Sequence, residues 1–382
     1  MAASELEPAQ RTPCALFNAN RVKLAIFGFN CDYGCTITTA EGRWALDWPA
    51  TLRVAALADA AGIEALVPIA RWRGFGGETN FADATFETFT WAAGLAAATR
   101  HTMVFCTSHV PTIHPIVAAK QATTIDYISN GRFGINVVCG RPGLELGMFG
   151  TPMLDHETAY AYAEEWLQIV RQLWTVDGEF DYDGQFFHIQ RGFQQPKPIQ
   201  RPYPPIMNAG SSPTGRRYAA RYADMAFINA RRENREDYRA DIANLRRMAH
   251  EEFGRPLQVW AHGYVVCRPT EREARDYLHY YVRERGDWVA VDNLTASMGL
   301  NERLPPERLA SMQFDFVAGW GGYPLVGTAE QIVDELAIMA DLGFDGWMLS
   351  WVDYEAELRQ WIDEIMPLLE QDGLRQPFVG GA

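Results

Sequence analysis

Apolar residues along this chain gather into short unbroken runs, and longer amphipathic stretches separate them. VKLAIFGF, Val22 to Phe29, is the first run, apolar nearly throughout, as strands of a parallel sheet buried on both faces are. Pro49 to Ala61 follows with helical spacing and stops at Gly62. The same alternation continues with EALVPIA and a helix over Phe86 to Thr99, then TMVFCTSHV and a helix over Ile116 to Ile128. RFGINVVCG precedes a helix from Tyr160 to Leu173, and PPIMNAG precedes RRYAARYA. DMAFINA pairs with Glu236 to Phe253, VWAHGYVVC with Glu271 to Arg285, and FDGWMLSW, preceded by a helix at Ala329 to Leu342, with Tyr354 to Leu369. Strands alternating with helices imply parallel pairing through right-handed crossovers. Eight strand–helix pairs in sequence predict an α/β fold closed as a (β/α)8 TIM barrel.

Three segments break the repeat. Gly140 to Ala159, Thr175 to Pro205 and Trp288 to Pro324 read as insertions at the C-terminal face, where barrels keep active-site walls and lids. The chain is therefore expected as a flexible arm over residues 1–20 and one barrel domain over 21–382, with a lid insertion at 288–324. The net charge of −14 argues against a nucleic-acid or acidic-membrane surface. No apolar run reaches the length that spans a bilayer, and the polar, acidic start MAASELEPAQ does not read as a signal peptide. Six cysteines without a CxxC pair suit reduced thiols in a cytoplasmic protein.

Chemistry in such a barrel sits where strands end. Those ends are Phe29-Asn30, Ile69-Ala70-Arg71, Thr107-Ser108-His109, Asn136 through Gly140, Asn208-Ala209-Gly210, Asn229 and Ser350-Trp351. They are rich in amides and hydroxyls and poor in carboxylates, and His109 and His114 make no HxH pair, so no metal is expected. Ser211 and Ser212 precede a helix that starts near Pro213. That geometry suits either a phosphate or an ordinary serine cap.

ARWRGFGG, AAKQATTIDYISNGRFGINVVCG, YAYAEEWLQIVRQLW with FDYDGQFFHI, RPYPPIMNAGSS and LVGTAEQIVDEL, in that order, resemble the bacterial luciferase-like flavin-dependent monooxygenases. The likeness runs from about residue 22 to 372 and is nearest to the pyrimidine monooxygenase and dimethylsulfone monooxygenase group. The resemblance implies non-covalent FMN, used as FMNH2 from a separate NAD(P)H:flavin reductase, since the chain has no GxGxxG unit of its own. It implies flavin contacts at Ala70, Arg71, Asn136 and Glu145, with Tyr160 and Ser212 on the phosphate side. Thr107 and Asn136, with Val67 and Ile69, match an oxygen pocket beside flavin N5, and His109 is a further catalytic or substrate-contacting candidate. One atom of O2 then enters a small electrophilic substrate such as a heterocyclic amide, a sulfone or a substituted ring. The implied route is a flavin peroxide at N5, with a C4a-peroxide competing. Candidate substrate contacts are Trp72, Arg73, Phe75, Arg141 and Trp320, besides Val67 and Ile69. Arg141 stands where both relatives have Trp. A homodimer or homotetramer is expected. Two alternatives stay open: an F420-dependent dehydrogenase of the same superfamily, and a non-catalytic flavin-binding protein.

Overall fold

A computed structural model describes residues 11–139, 144–151 and 154–380. It contains strands β1 (Lys23–Phe27), β2 (Ala65–Val67), β3 (Met103–His109), β4 (Phe133–Val138), β5 (Phe180–Asp183), β6 (His188–Gly192), β7 (Ile206–Asn208), β8 (Met225–Ile228), β9 (Gln258–Cys267), β10 (Tyr323–Gly327) and β11 (Gly346–Ser350). Parallel pairing runs β1-β2-β3-β4-β7-β8-β9-β11, and β11 pairs back onto β1, which closes an eight-stranded barrel. These eight are the strands expected from the apolar runs.

Two features lie outside the simple repeat. β5 and β6 form an antiparallel hairpin within the segment between residues 175 and 205. β9 forks: Gln258 to Ala261 pair with β8, whereas Gly263 to Cys267 pair with β10. β10 emerges directly from the insertion at 288–324, whose helices are Trp288–Ser297, Leu300–Arg303 and Pro306–Gly319. Pro324, expected as the end of the insertion, lies inside this strand.

Two apolar clusters hold the barrel. One, including Leu24, Ile26, Leu66, Val104, Ile135 and Val259, packs the outer strand faces against the helices. The other fills the interior with Ala25, Phe27, Val67, Phe105, Met207, Met225, Trp260 and Met348. The period-two alternation of side chains along each strand sorts residues between them. Helix starts are fixed by side-chain caps, among them Asp47, Glu87, Asp155 and Ser212. The Asp155 cap starts its helix at His156, four residues before the Tyr160 expected from periodicity.

Residues 11–20, expected as part of a loose arm, are instead packed. Leu16 is fully buried in the interior cluster, Arg11 pairs with Asp224, and Gln258 Nε2 donates to Leu16 O. Beneath them the fully buried Glu64 carboxylate accepts from Asn18, Asn20, Leu24 N and Arg375, and Arg375 also donates to Val22 O and Gly62 O. The N-terminal segment and the C-terminal tail are thereby tied to the strands they adjoin, on the side opposite the strand ends that carry chemistry.

Candidate active site

The ends of β2, β3 and β4 form one polar wall. Asn30, fully buried, donates to Ile69 O and accepts from Ile69 N, both at 2.8 Å, and so holds the chain beyond β2 extended. Thr107 and Asn136 are register partners on adjacent strands. Thr107 Oγ1 donates to Pro68 O at 2.6 Å, and Asn136 Nδ2 donates to Thr107 Oγ1 at 3.3 Å. Asn136 Oδ1 is buried and has no partner among the described residues. A hydroxyl has one proton, and Thr107 spends it on Pro68. Thr107 therefore orients Asn136, and Asn136 keeps unused hydrogen-bonding capacity.

Ala70, Arg71, Trp72, Thr107 and His109 all line one cavity of about 210 Å³ between the β2 and β3 ends. The remaining substrate candidates lie elsewhere. Val67 is fully buried and Ile69 nearly so, both in the barrel interior, and Arg73 is exposed. Phe75 and Trp320 form a separate aromatic group with Phe81, their ring centroids 5.2 to 6.4 Å apart. That group joins the insertion to the loop after β2, as does Asn293 Nδ2 donating to Phe75 O. Gly140 and Arg141 lie outside the described residues.

Glu145, on the short helix Leu144–Met148, clamps the loop after β2. Its Oε1 accepts from Trp72 N at 2.9 Å and Arg73 N at 3.1 Å, and pairs with the Arg71 guanidinium at 3.2 Å. Arg71 also lies over the Phe75 ring, 4.4 Å from its centroid. Three expected flavin contacts are thus two ends of one ion pair and the backbone beside it.

Ser212 and Tyr160 come together at the start of the helix Pro213–Tyr222. Ser212 caps it, its Oγ accepting from Gly215 N at 3.0 Å, which leaves the hydroxyl proton free to donate. A Cβ on Gly215 would sit 2.4 Å from Tyr160 Oη, so only glycine lets the phenol hydroxyl reach the bare helix start. The positive end of the helix and the Ser212 hydroxyl give this position the chemistry to hold an anion.

Strand ends alone did not point to Phe86, Phe89, Ile113, Gln121 and Phe149, which complete the cavity from helices and loops. His262 was also missed, although a histidine inside VWAHGYVVC is a visible signal. It lies within the barrel, its Nε2 2.8 Å from Ser350 Oγ and its ring edge-on to Phe27. Burial pushes its pKa down to about 3, so it is neutral in ordinary buffers.

A closed (β/α)8 barrel with its polar groups gathered at the strand C-termini has the build of a barrel enzyme. Residues 29–346 match the luciferase-like monooxygenase family, and the chain belongs to it. It is 29% identical over 357 residues to the FMNH(2)-dependent dimethylsulfone monooxygenase of Pseudomonas putida, covering 92% of this chain and 96% of the relative. It is 30% identical over 315 residues to pyrimidine monooxygenase RutA of Acinetobacter baylyi, covering 81% and 84%. The solved riboflavin lyase RcaE, with modified FMN and riboflavin, superposes with a TM-score of 0.83 at 20% identity over 94% of each chain, which shows the shared fold.

Proposed function

We propose that this chain is the oxygenase of a two-component system that takes FMNH2 from a separate flavin reductase and inserts one atom of O2 into a small electrophilic substrate. The observation that carries this reading is the seat formed by Ser212, Tyr160 and the Cβ-free Gly215, on the same barrel rim as the buried, unpartnered Asn136 Oδ1. A phosphate suits the first and a hydrogen-bonding ring edge suits the second, so the residues present fit FMN. Ser212 and Tyr160 would hold the phosphate, with Ala70, Arg71, Asn136 and Glu145 beside the ring.

Reduced FMN, when bound, supplies the electrons that activate dioxygen. The chain supplies position. Thr107 fixes the Asn136 amide, so that Oδ1 would be presented already oriented to an N–H of a bound ring. Glu145 fixes the loop that carries Trp72, and the edge-to-face pair of Trp72 and Phe149, ring centroids 5.0 Å apart, flanks the mouth of the cavity. Ile116 and Val117 at one end of the helix Pro115–Ile128, and Tyr127 and Ile128 at the other, lie exposed, and these apolar groups support a homodimer or homotetramer. The six cysteines are free and five of them buried, which supports a cytoplasmic enzyme. No described helix is long and apolar enough to cross a membrane.

Anaerobic titration with FMNH2 tests the reading. Wild type binds FMNH2, and Ser212→Ala weakens it about tenfold while leaving reduced riboflavin, which lacks the phosphate, unchanged. With FMN, NADH and a flavin reductase, the protein consumes O2. Binding of reduced F420 in preference to FMNH2, or no flavin binding at all, would overturn the proposal.

A further inference from the structure

The cavity at the β2 and β3 ends has a side that the flavin reading leaves unused. Side chains alternate along β3, so Thr107 faces the barrel interior and Ser108 faces the helices Thr88–Ala98 and Pro115–Ile128. Ser108 is 2% exposed, lines the cavity, and its Oγ has no hydrogen-bond partner among the described residues. A buried hydroxyl left unsatisfied is costly, which makes it a ready partner for a ligand atom. Around it stand the apolar side chains of Phe86, Phe89 and Ile113, with Gln121 on the facing helix. Trp72 and Phe149, 41% and 39% exposed, flank the opening.

The chemistry of this lining selects a ligand class. The volume of about 210 Å³ equals the space of about seven waters, enough for a single ring. The charged groups nearby already have hydrogen-bond partners. Arg71 pairs with Glu145, and Glu87 accepts from Phe89 N and Thr90 N as the cap of its helix. A neutral ligand with a hydroxyl or carbonyl oxygen would satisfy Ser108 without bringing a charge into the apolar lining of Phe86, Phe89 and Ile113.

We infer that this cavity binds a small neutral ring carrying one hydrogen-bonding oxygen, and that it is the subsite for the non-reacting part of the substrate, with Ser108 and Phe89 setting its selectivity. The second half of this statement rests on the monooxygenase reading. Ala70, Arg71 and Thr107 line the cavity and also border the barrel mouth, so a ring held against Ser108 lies on the helix side of the sheet, with these rim residues between it and the interior-facing Asn136.

Phenol and benzene are suitable probes, titrated into the full-length chain by calorimetry or ligand-observed NMR. Phenol binds saturably and more tightly than benzene. Ser108→Ala weakens phenol about fivefold, toward benzene, and leaves benzene unchanged, in keeping with one neutral hydrogen bond. Phe89→Trp fills the cavity and abolishes both, with circular dichroism confirming the fold. FMN titrated at saturating phenol binds alongside it. If phenol does not bind, or binds equally well in both variants, the inference is wrong. Competition between phenol and FMN also overturns it, because the cavity is then part of the flavin seat. A wild type that binds phenol in this pattern but no flavin removes the monooxygenase reading and leaves the ring site standing.

Discussion

Thr107 and Asn136 show how a pair of polar residues divides its work by counting protons. Thr107 has one hydrogen to give and Pro68 O takes it, so its oxygen is left as the acceptor that fixes Asn136. Thr107→Val keeps the shape and removes the hydroxyl, leaving Pro68 O and one Asn136 N–H without partners in a buried place. We expect a loss of about 1–3 kcal/mol in urea denaturation, largely restored by Thr107→Ser. FMNH2 affinity should fall less in Thr107→Val than in Asn136→Ala, since the first disorders the amide and the second deletes it. Equal stability of Thr107→Val and wild type would show that the Pro68 hydrogen bond contributes nothing. A buried amide at a strand end could be picked out from sequence, because such a group needs partners. Its partner Thr107 was legible too, but Pro68 O was not, because that acceptor depends on the path the chain takes after β2.

Elements explain most of what sequence did and did not reveal. The eight barrel strands were legible because strands covered on both faces must be apolar throughout, and their helices because caps and period mark them. The hairpin of β5 and β6 alternates exposed and half-buried residues, FDYD among them, and lacks that mark. The rim residues at 70, 71, 107 and 136 were legible as strand ends. Glu145 was reached only through family resemblance, and its local partners were invisible, since they are backbone amides of a loop 72 and 73 residues away. Those amides give the clamp a direct readout. In Glu145→Ala, hydrogen exchange at the Trp72 and Arg73 amides should accelerate about tenfold or more, as expected on losing a charged acceptor. Glu145→Gln, which keeps one neutral acceptor, should fall between. Unchanged protection in Glu145→Ala would mean that the loop is held by its Arg71–Phe75 and Phe75–Trp320 contacts instead.

Closing the barrel joins residues that no local reading connects. His262 meets Ser350, 88 residues on, because β9 and β11 are neighbours, and Gly322 approaches so closely that a Cβ there would lie 2.8 Å from the imidazole. The bottom of the barrel is similarly sealed by Glu64 and Arg375, 311 residues apart. Burying His262 makes the stability of the protein depend on pH in a definite direction. In the folded barrel its pKa is pushed down to about 3, whereas the unfolded chain titrates near 6.5. Below pH 6.5 the unfolded state therefore takes up a proton that the native state does not, so acid favours unfolding until about pH 3. At 1.36 kcal/mol per unit, His262 alone should cost about 2 kcal/mol between pH 6.5 and 5. Burial raises the carboxyl pKa values of Asp126 and Glu357, which acts in the opposite sense around their own titrations. Both groups are common to wild type and to His262→Gln, so the comparison isolates the imidazole. Denaturant unfolding at pH 7 and pH 5 should show His262→Gln losing about 2 kcal/mol less than wild type over that interval. Equal losses in the two proteins would mean that the native imidazole takes up its proton as readily as the unfolded one, and that the barrel opens to water around His262.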